Sequence, residues 1–447
     1  MLSKSLKNNR SLTFYQCSKP PMSGFDLNYA GGATAFAVAG TAVETQLQTH
    51  RISDAFSQLR TALIERGKIY AANTTASRAG YMAEEFVAGT YNVDVTIKKV
   101  KTPKAITDKS TAAASADITY GNNKASLKYY QNAKRSANAQ LDPNYGEQKR
   151  IVPTDQLKES KDALERMATK NELKGRTDAA AQQRKTKELL DDRIRGPKGT
   201  GSTPLPKKSA EEFASAISKE GDKTVVDTEK IDKVLEKTGV TKKVKTAKLK
   251  NELCGLGLAV AIGAGVGLSI GFITTLAQSG INPDALKSAT TEGLKGGMES
   301  GLLSAIGYGI GRTLGESATR ALSGVLEKVG FTITEDISKM INVGVVGTLT
   351  IAAFSTYQFM KLKIKGMATR DALIQTGRQA LFSLSILAVS IAAQCLWGSA
   401  AGIIVSVSIG IIMITYSIAD TIHQRQFAES IRTYTIEKCY PTFSTSV

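Results

Sequence analysis

Residues 253–279 read LCGLGLAVAIGAGVGLSIGFITTLAQS. No charged side chain interrupts the run, and as a single helix it is long enough to cross a bilayer's hydrocarbon core. Gly263, Gly267 and Gly271 recur every four residues. On a helix that spacing clears one face of side chains, so a second helix can approach closely. A charge-free helix can also form the centre of a large soluble core. Here aromatic residues make up only 6% of the chain, which leaves little large apolar surface to enclose such a helix in water.

Further apolar stretches follow. Ile341–Met360 is uncharged, and so is Ala380–Ala419, with GSAAG at 398–402 near its centre. The latter reads as two crossings joined by a tight turn, or as one crossing and a re-entrant piece. Gly307, Gly311 and Gly315 form a second four-residue glycine series, with Glu299 and Arg312 nearby. If 302–314 lies on the surface or re-enters, the loop holding Lys361, Lys363, Lys365, Arg370 and Arg378 falls on the same side as the N-terminal half. The positive-inside tendency favours that arrangement. A faint repeat argues the other way: Asp284-Ala285-Leu286 recurs as Asp371-Ala372-Leu373. The glycine faces imply tight packing in a stable anchor, or self-association into a homo-oligomer of helices able to breach a bilayer. In these respects the C-terminal half resembles glycine-zipper multi-spanning membrane effectors.

The 447-residue chain has a formal net charge of +18, and 16 of those charges fall within residues 1–250. A basic, polar half is thus joined to an apolar, nearly neutral one. Such positive charge favours polyanions, either nucleic acid or an anionic membrane face. Lys242, Lys243, Lys245, Lys248 and Lys250 crowd just before the first apolar helix. There they are expected to stay on the cytoplasmic side and meet lipid headgroups. Four widely spaced cysteines and two histidines give neither metal-ligand spacing nor a histidine-based triad, and suggest reduced thiols. The first 30 residues lack the continuous apolar core of a secretory signal.

Residues 1–40 read as a loose arm and 41–156 as an α+β domain. A helix is expected from Gln46, and a second over Thr75–Val87 carrying Glu84 and Glu85. Alternation of Val93, Val95 and Ile97 predicts a strand over Tyr91–Val100. Asp117–Tyr120 and Ala125–Tyr130 read as strands joined by a turn at Gly121-Asn122-Asn123. This order, with Asp117 opening one strand and Lys128 on the next, resembles the restriction-endonuclease-like, or PD-(D/E)XK, nucleases. The resemblance implies Mg²⁺ held by Asp117 and a helix glutamate, Glu85 or Glu84, with Lys128 orienting the attacking water. Ser126 stands where that family places an acid or glutamine. Beyond it, Lys134, Arg135, Lys149 and Arg150 lie among Tyr129, Tyr130 and Tyr145, a mixture suited to phosphate contact and base stacking.

Residues 157–250 read as a charged helical connector. It has solvated helices to Arg195, a flexible Gly/Pro linker over Gly196–Lys208, and the basic juxtamembrane segment. The expected architecture is an α+β N-terminal domain, then an all-α membrane-spanning domain over 251–424 with glycine-zipper helices, then a cytoplasmic tail over 425–447. The expected function is a multi-pass membrane protein whose cytoplasmic nuclease-like domain binds and cleaves DNA or RNA, as in bacterial or phage conflict. A pore-forming effector and a non-enzymatic nucleic-acid tether are the alternatives. Walker-type phosphate loops and GxGxxG are absent.

Overall fold

The computed structural model describes residues 31–108, 115–279, 283–328 and 332–397, with isolated helical positions between 405 and 434. The expectations for 1–30, for the GSAAG turn and for the C-terminal tail beyond 434 lie outside the described residues. The chain divides into two compact units, Leu47–Glu252 and the remainder, and each is taken by itself.

Leu47–Glu252 is built on two long helices. Helix α1 spans Gly31–Ile69, so residues 31–40, expected in a loose arm, are its opening turns. Helix α2 spans Thr75–Ile97, with the Thr74 side chain accepting from the Ser77 amide at its start. In place of the strand expected over Tyr91–Val100, Tyr91–Ile97 is the last part of α2, and the helix ends before Lys98. Tyr91, Val93, Asp94 and Val95 are all buried, so this stretch is covered on nearly every side. Alternating valines there reflect enclosure rather than a two-sided strand. Gly89 does not break α2: a Cβ at this position would lie 2.5 Å from Leu59 Cδ1. Its lack of a side chain lets α1 sit against α2. Ile52, Leu59 and Leu63 of α1 and Met82, Phe86 and Val87 of α2 are the heart of the core.

A five-stranded sheet follows in the order β1 (Ile106–Thr107), β2 (Ile118–Tyr120), β3 (Asn123–Leu127), β4 (Lys149–Ile151) and β5 (Leu190–Asp191). The expected hairpin is present. β2 and β3 pair antiparallel, with Ile118 opposite Ala125 and Tyr120 opposite Asn123. Gly121 adopts φ +57°, the left-handed conformation that a tight hairpin needs. The short helix α3 (Ala133–Asn138) then carries the chain to β4, which lies parallel to β3.

The region expected to be a solvated connector belongs to this unit. Helices α4 (Leu157–Glu172) and α5 (Thr177–Leu189) pack on each other, and the chain then enters the sheet as β5, parallel to β4. Leu164 and Leu190 join Ala137 and Val152 in a second core cluster. These helices read as solvated because only a few of their apolar positions reach that cluster. The Gly196–Lys208 segment is fixed rather than flexible. Its Gly201 and Thr203 amides donate to Asp94 Oδ2 (2.9 Å) and Thr90 Oγ1 (3.0 Å) of α2, and Leu205 is fully buried. Helix α6 (Lys207–Ser215), the hairpin β6–β7 (Ile217–Glu220, Lys223–Val226) and helix α7 (Thr228–Lys237) close the unit.

The second unit is helical. Its elements are the α1 residues up to Gln46, helix α8 (Val240–Ser279) from Leu253 onward, α9 (Pro283–Lys328), α10 (Glu335–Ile364) and α11 (Thr369–Trp397). Three segments, Val240–Leu268, Asp336–Ile364 and Thr369–Leu396, are long and apolar enough to cross a membrane. The 302–314 stretch lies inside the unbroken 46-residue helix α9 and is not one of the three. Gly263 and Gly267 of α8 meet α9: an added Cβ would strike Ser304 at the first and Gly296 at the second. Gly307, Gly311 and Gly315 of α9 meet α10, where a Cβ would come within 2.7 Å of Thr350, 2.6 Å of Val346 and 2.6 Å of Val346. Gly263, Gly267, Gly307, Gly311 and Gly315 therefore lie at close helix contacts within the chain. The surroundings of Gly271 lie outside the described residues.

Candidate active-site cleft

A cleft of about 670 Å³ opens in the Leu47–Glu252 unit. Its wall includes the C-terminal turn of α1 (Arg66), the first turns of α2 (Ala76, Ser77, Gly80, Tyr81, Glu84), the residue before β2 (Asp117) and the end of β3 with the residue after it (Leu127, Lys128). Residues more than 60 positions apart thus share one wall. The helix–hairpin order makes this possible: β2 and β3 pair immediately beside α2.

Asp117 sits just before β2. Its Oδ2 accepts from the Leu127 amide at 2.6 Å and lies 3.5 Å from Lys128 Nζ. Burial works to lower the Lys128 pKa, but Asp117 and then Tyr145 outweigh it and hold the ammonium above its ordinary range. The Tyr145 ring lies beneath this ammonium, 5.5 Å from its centroid.

Glu84 projects from α2 into the same cleft. Burial, and secondly repulsion from Asp117, push its pKa up to about 7, against the pull of Arg66 and Lys128. Arg66 Nη2 donates to Glu84 Oε2 at 2.8 Å. These two carboxylates feel each other, and a cation between them would relieve that repulsion. Each has one oxygen bound by neighbours, Oε2 of Glu84 and Oδ2 of Asp117. Mg²⁺ commonly takes one or two carboxylates and keeps several waters, and the two carboxylates of this wall are donors of that class. No group of three or more His, Cys, Asp or Glu side chains disposed to hold a metal occurs among the described residues.

Glu85, the helix acid first favoured, is not in the cleft wall. Its Oε1 accepts from Thr107 Oγ1 at 2.8 Å and lies 3.6 Å from Arg66 Nε. The neighbouring position, Glu84, carries the acid into the site, because one step along a helix turns a side chain by about 100°. Ser126 is fully buried, and its Oγ is without a hydrogen-bond partner.

The basic and aromatic segment divides in two. Arg135, Tyr129 and Tyr130 line the cleft. Tyr130 is 48% exposed, whereas the Tyr129 hydroxyl donates to the Leu205 carbonyl at 3.3 Å. Lys134 and Lys149 are exposed but are not part of the cleft wall. Arg150 has another role. It is fully buried and donates to Thr186 Oγ1, the Gln140 carbonyl (2.5 Å) and the Gly146 carbonyl (3.3 Å). Its hydrogen bonds tie β4 to α5, so it is a structural arginine and not a nucleic-acid contact.

The five lysines before the apolar helix also differ among themselves. Lys243 Nζ lies 2.6 Å from Asp94 Oδ1 and is occupied. Lys242, Lys245 and Lys250 are exposed, and Lys248 is half-buried.

Arg66, Tyr70, Tyr81 and Lys207 complete the cleft and were not singled out by sequence. Arg66 and Tyr70 belong to the end of α1 and the turn after it, where a cation and an aromatic look like ordinary surface residues. Only the antiparallel return of α2 brings Tyr81 and Glu84 beside them. No protein family, curated protein or solved structure matches this chain.

Proposed function

We propose that the basic unit is a nuclease-like module that grips nucleic acid in the Glu84–Asp117–Lys128 cleft and cleaves it with Mg²⁺, while the apolar helices hold the protein at a membrane. One observation carries the enzymatic part: an acid from a helix, an acid just before one strand and a lysine just after the next line one cavity. Mg²⁺, when bound, would polarise a phosphoryl oxygen and make its water a better nucleophile. Glu84 and Asp117 would hold that ion. Lys128, kept charged beside Asp117, would orient the water and offset charge developing on the phosphate. Arg135 and Tyr130 would grip the strand on either side, and the α2 N-terminus presents the positive end of its helix dipole to the cleft.

The membrane part rests on three long apolar helices and on the exposed lysines Lys242, Lys245 and Lys250, which suit anionic headgroups. A basic unit beside a negatively charged cytoplasmic leaflet is the orientation this favours. The glycine faces, turned toward helices of the same chain, suit a compact anchor.

The test uses the full chain in detergent micelles with a labelled oligonucleotide and Mg²⁺. Cleavage should fall by roughly 100-fold or more in Lys128→Ala, the scale of losing one charge-stabilising donor, with binding in EDTA largely retained. Absence of cleavage by the unmodified protein would remove the enzymatic half of this reading and leave nucleic-acid binding to be judged separately.

A further inference from the structure

The rings of Tyr70 and Tyr81 are stacked, with centroids 3.7 Å apart and planes within 7° of parallel. The Arg66 guanidinium lies 5.2 Å from one centroid and 5.4 Å from the other, while its Nη2 holds Glu84. Both rings are half-buried and line the cleft. Neither belongs to the hydrophobic core, in which Met82 and Phe86 of the same helix are fully enclosed. A packing role alone would not keep two large rings at a cavity wall.

We propose that Tyr70 and Tyr81 form a stacking platform for an unpaired base, which makes single-stranded nucleic acid the ligand class of this cleft. The proposal rests on the nucleic-acid reading above and deepens it. A base inside a duplex has both faces covered by its neighbours, so it cannot extend a protein stack without first leaving its own. An unpaired base has a face to offer, and base–aromatic stacking is tolerant of sequence because every base has one. A cavity of about 670 Å³ is of the size that encloses a small ligand, and so suits a nucleotide or two. One guanidinium joins the platform to Glu84. A base resting on the rings would therefore keep its own phosphate close to the carboxylates and Lys128, where cleavage would occur.

The experiment measures binding by fluorescence anisotropy, with the full chain in detergent micelles and EDTA present to prevent cleavage. The probes are an oligothymidylate single strand and a blunt duplex of equal length. The single strand should bind about 10-fold tighter, the scale of one stacked base. Tyr81→Ala should remove most of that preference, and Tyr81→Phe, which keeps the ring, should retain it. A 2-aminopurine placed in the single strand should be quenched on binding by the unmodified protein and by Tyr81→Phe, and not by Tyr81→Ala. Equal affinity for both probes, or quenching that survives Tyr81→Ala, overturns the platform while leaving the cleft as a nucleic-acid site. Failure to bind either probe overturns the nucleic-acid reading itself.

Discussion

The basic unit and helix α9 of the helical unit enclose different kinds of residue. Between Leu47 and Glu252 the largest enclosed side chains are Arg150, Tyr91, Phe86, Phe213, Ile52, Leu59 and Leu63. In the helical unit the enclosed positions along α9 are mostly small: Gly293, Gly296, Gly297, Ser300, Gly301, Ser304, Gly307 and Gly311. Four large residues of α9 face outward, Leu294, Met298, Leu302 and Ile306, spaced every four positions and all exposed, while Leu303 and Tyr308 are buried. Water rewards the first pattern, because burying large apolar surface is what drives folding there. The second gains nothing of the kind in water. It suits surroundings as apolar as leucine, where helices associate through close contact between small residues.

The comparison can be broken by making each unit pay the other's penalty. Phe86 packs on Phe213 with ring centroids 5.6 Å apart. Phe86→Ala should cost about 3–5 kcal/mol, as buried aromatic deletions do, read as a lower urea midpoint for the basic unit. Leu302→Ala, the same kind of truncation on α9, should leave the detergent-solubilised fold nearly unchanged. Equal losses would end the distinction. The next largest effect runs the other way. Gly267→Ala adds one methyl where the Gly296 backbone already sits, and should cost roughly 1–3 kcal/mol, the range for overpacking. Thermal unfolding in detergent would register it. Exposed Gly257, with open space around it, is the control at which the same change should be neutral or stabilising.

The smallest effect sharpens the comparison through charge, since the basic unit buries ionisable groups. Glu84 titrates from a usual value of 4.5 to about 7 on folding. Its raised pKa penalises the folded state above pH 7, and the penalty fades as pH falls toward 4.5. The melting temperature of the unmodified protein, taken relative to Glu84→Gln, should therefore climb as pH is lowered from about 8 to about 5. Mg²⁺ affinity should move oppositely and strengthen as pH rises through the same window, because the ion competes with that proton. A flat difference in melting temperature would show that Arg66 keeps Glu84 ionised throughout.

How far the sequence was legible depended on range. The hairpin at Gly121 is local, set by a turn and two short strands, and it forms where expected, although its second strand runs over Asn123–Leu127 rather than Ala125–Tyr130. The long apolar helices announce themselves by composition. What escaped is decided by distant partners. Tyr91–Ile97 alternates like a strand but is helical, with Tyr91 covered by Tyr120 of β2 and by the segment around Gly196. The Gly/Pro stretch has a linker's composition, yet Asp94 and Thr90 pin it. The choice of Glu84 over Glu85 depends on where α2 faces once α1 and the sheet have closed around it. Arg66 lies at the end of a helix whose relation to α2 no local pattern encodes.

Asp94 is a buried carboxylate near the end of α2. Burial pushes its pKa up, but Lys243, Lys98 and the Gly201 amide outweigh that and hold the carboxyl below its ordinary range. One anion thereby fastens three stretches: the end of α2, the glycine-rich segment and the first turns of α8. If any one of them lifts away, the carboxylate is left under-compensated and the other two lose their anchor as well. These segments should consequently fray in concert or not at all, so that a loop with little structure of its own borrows the lifetime of the two helices it touches.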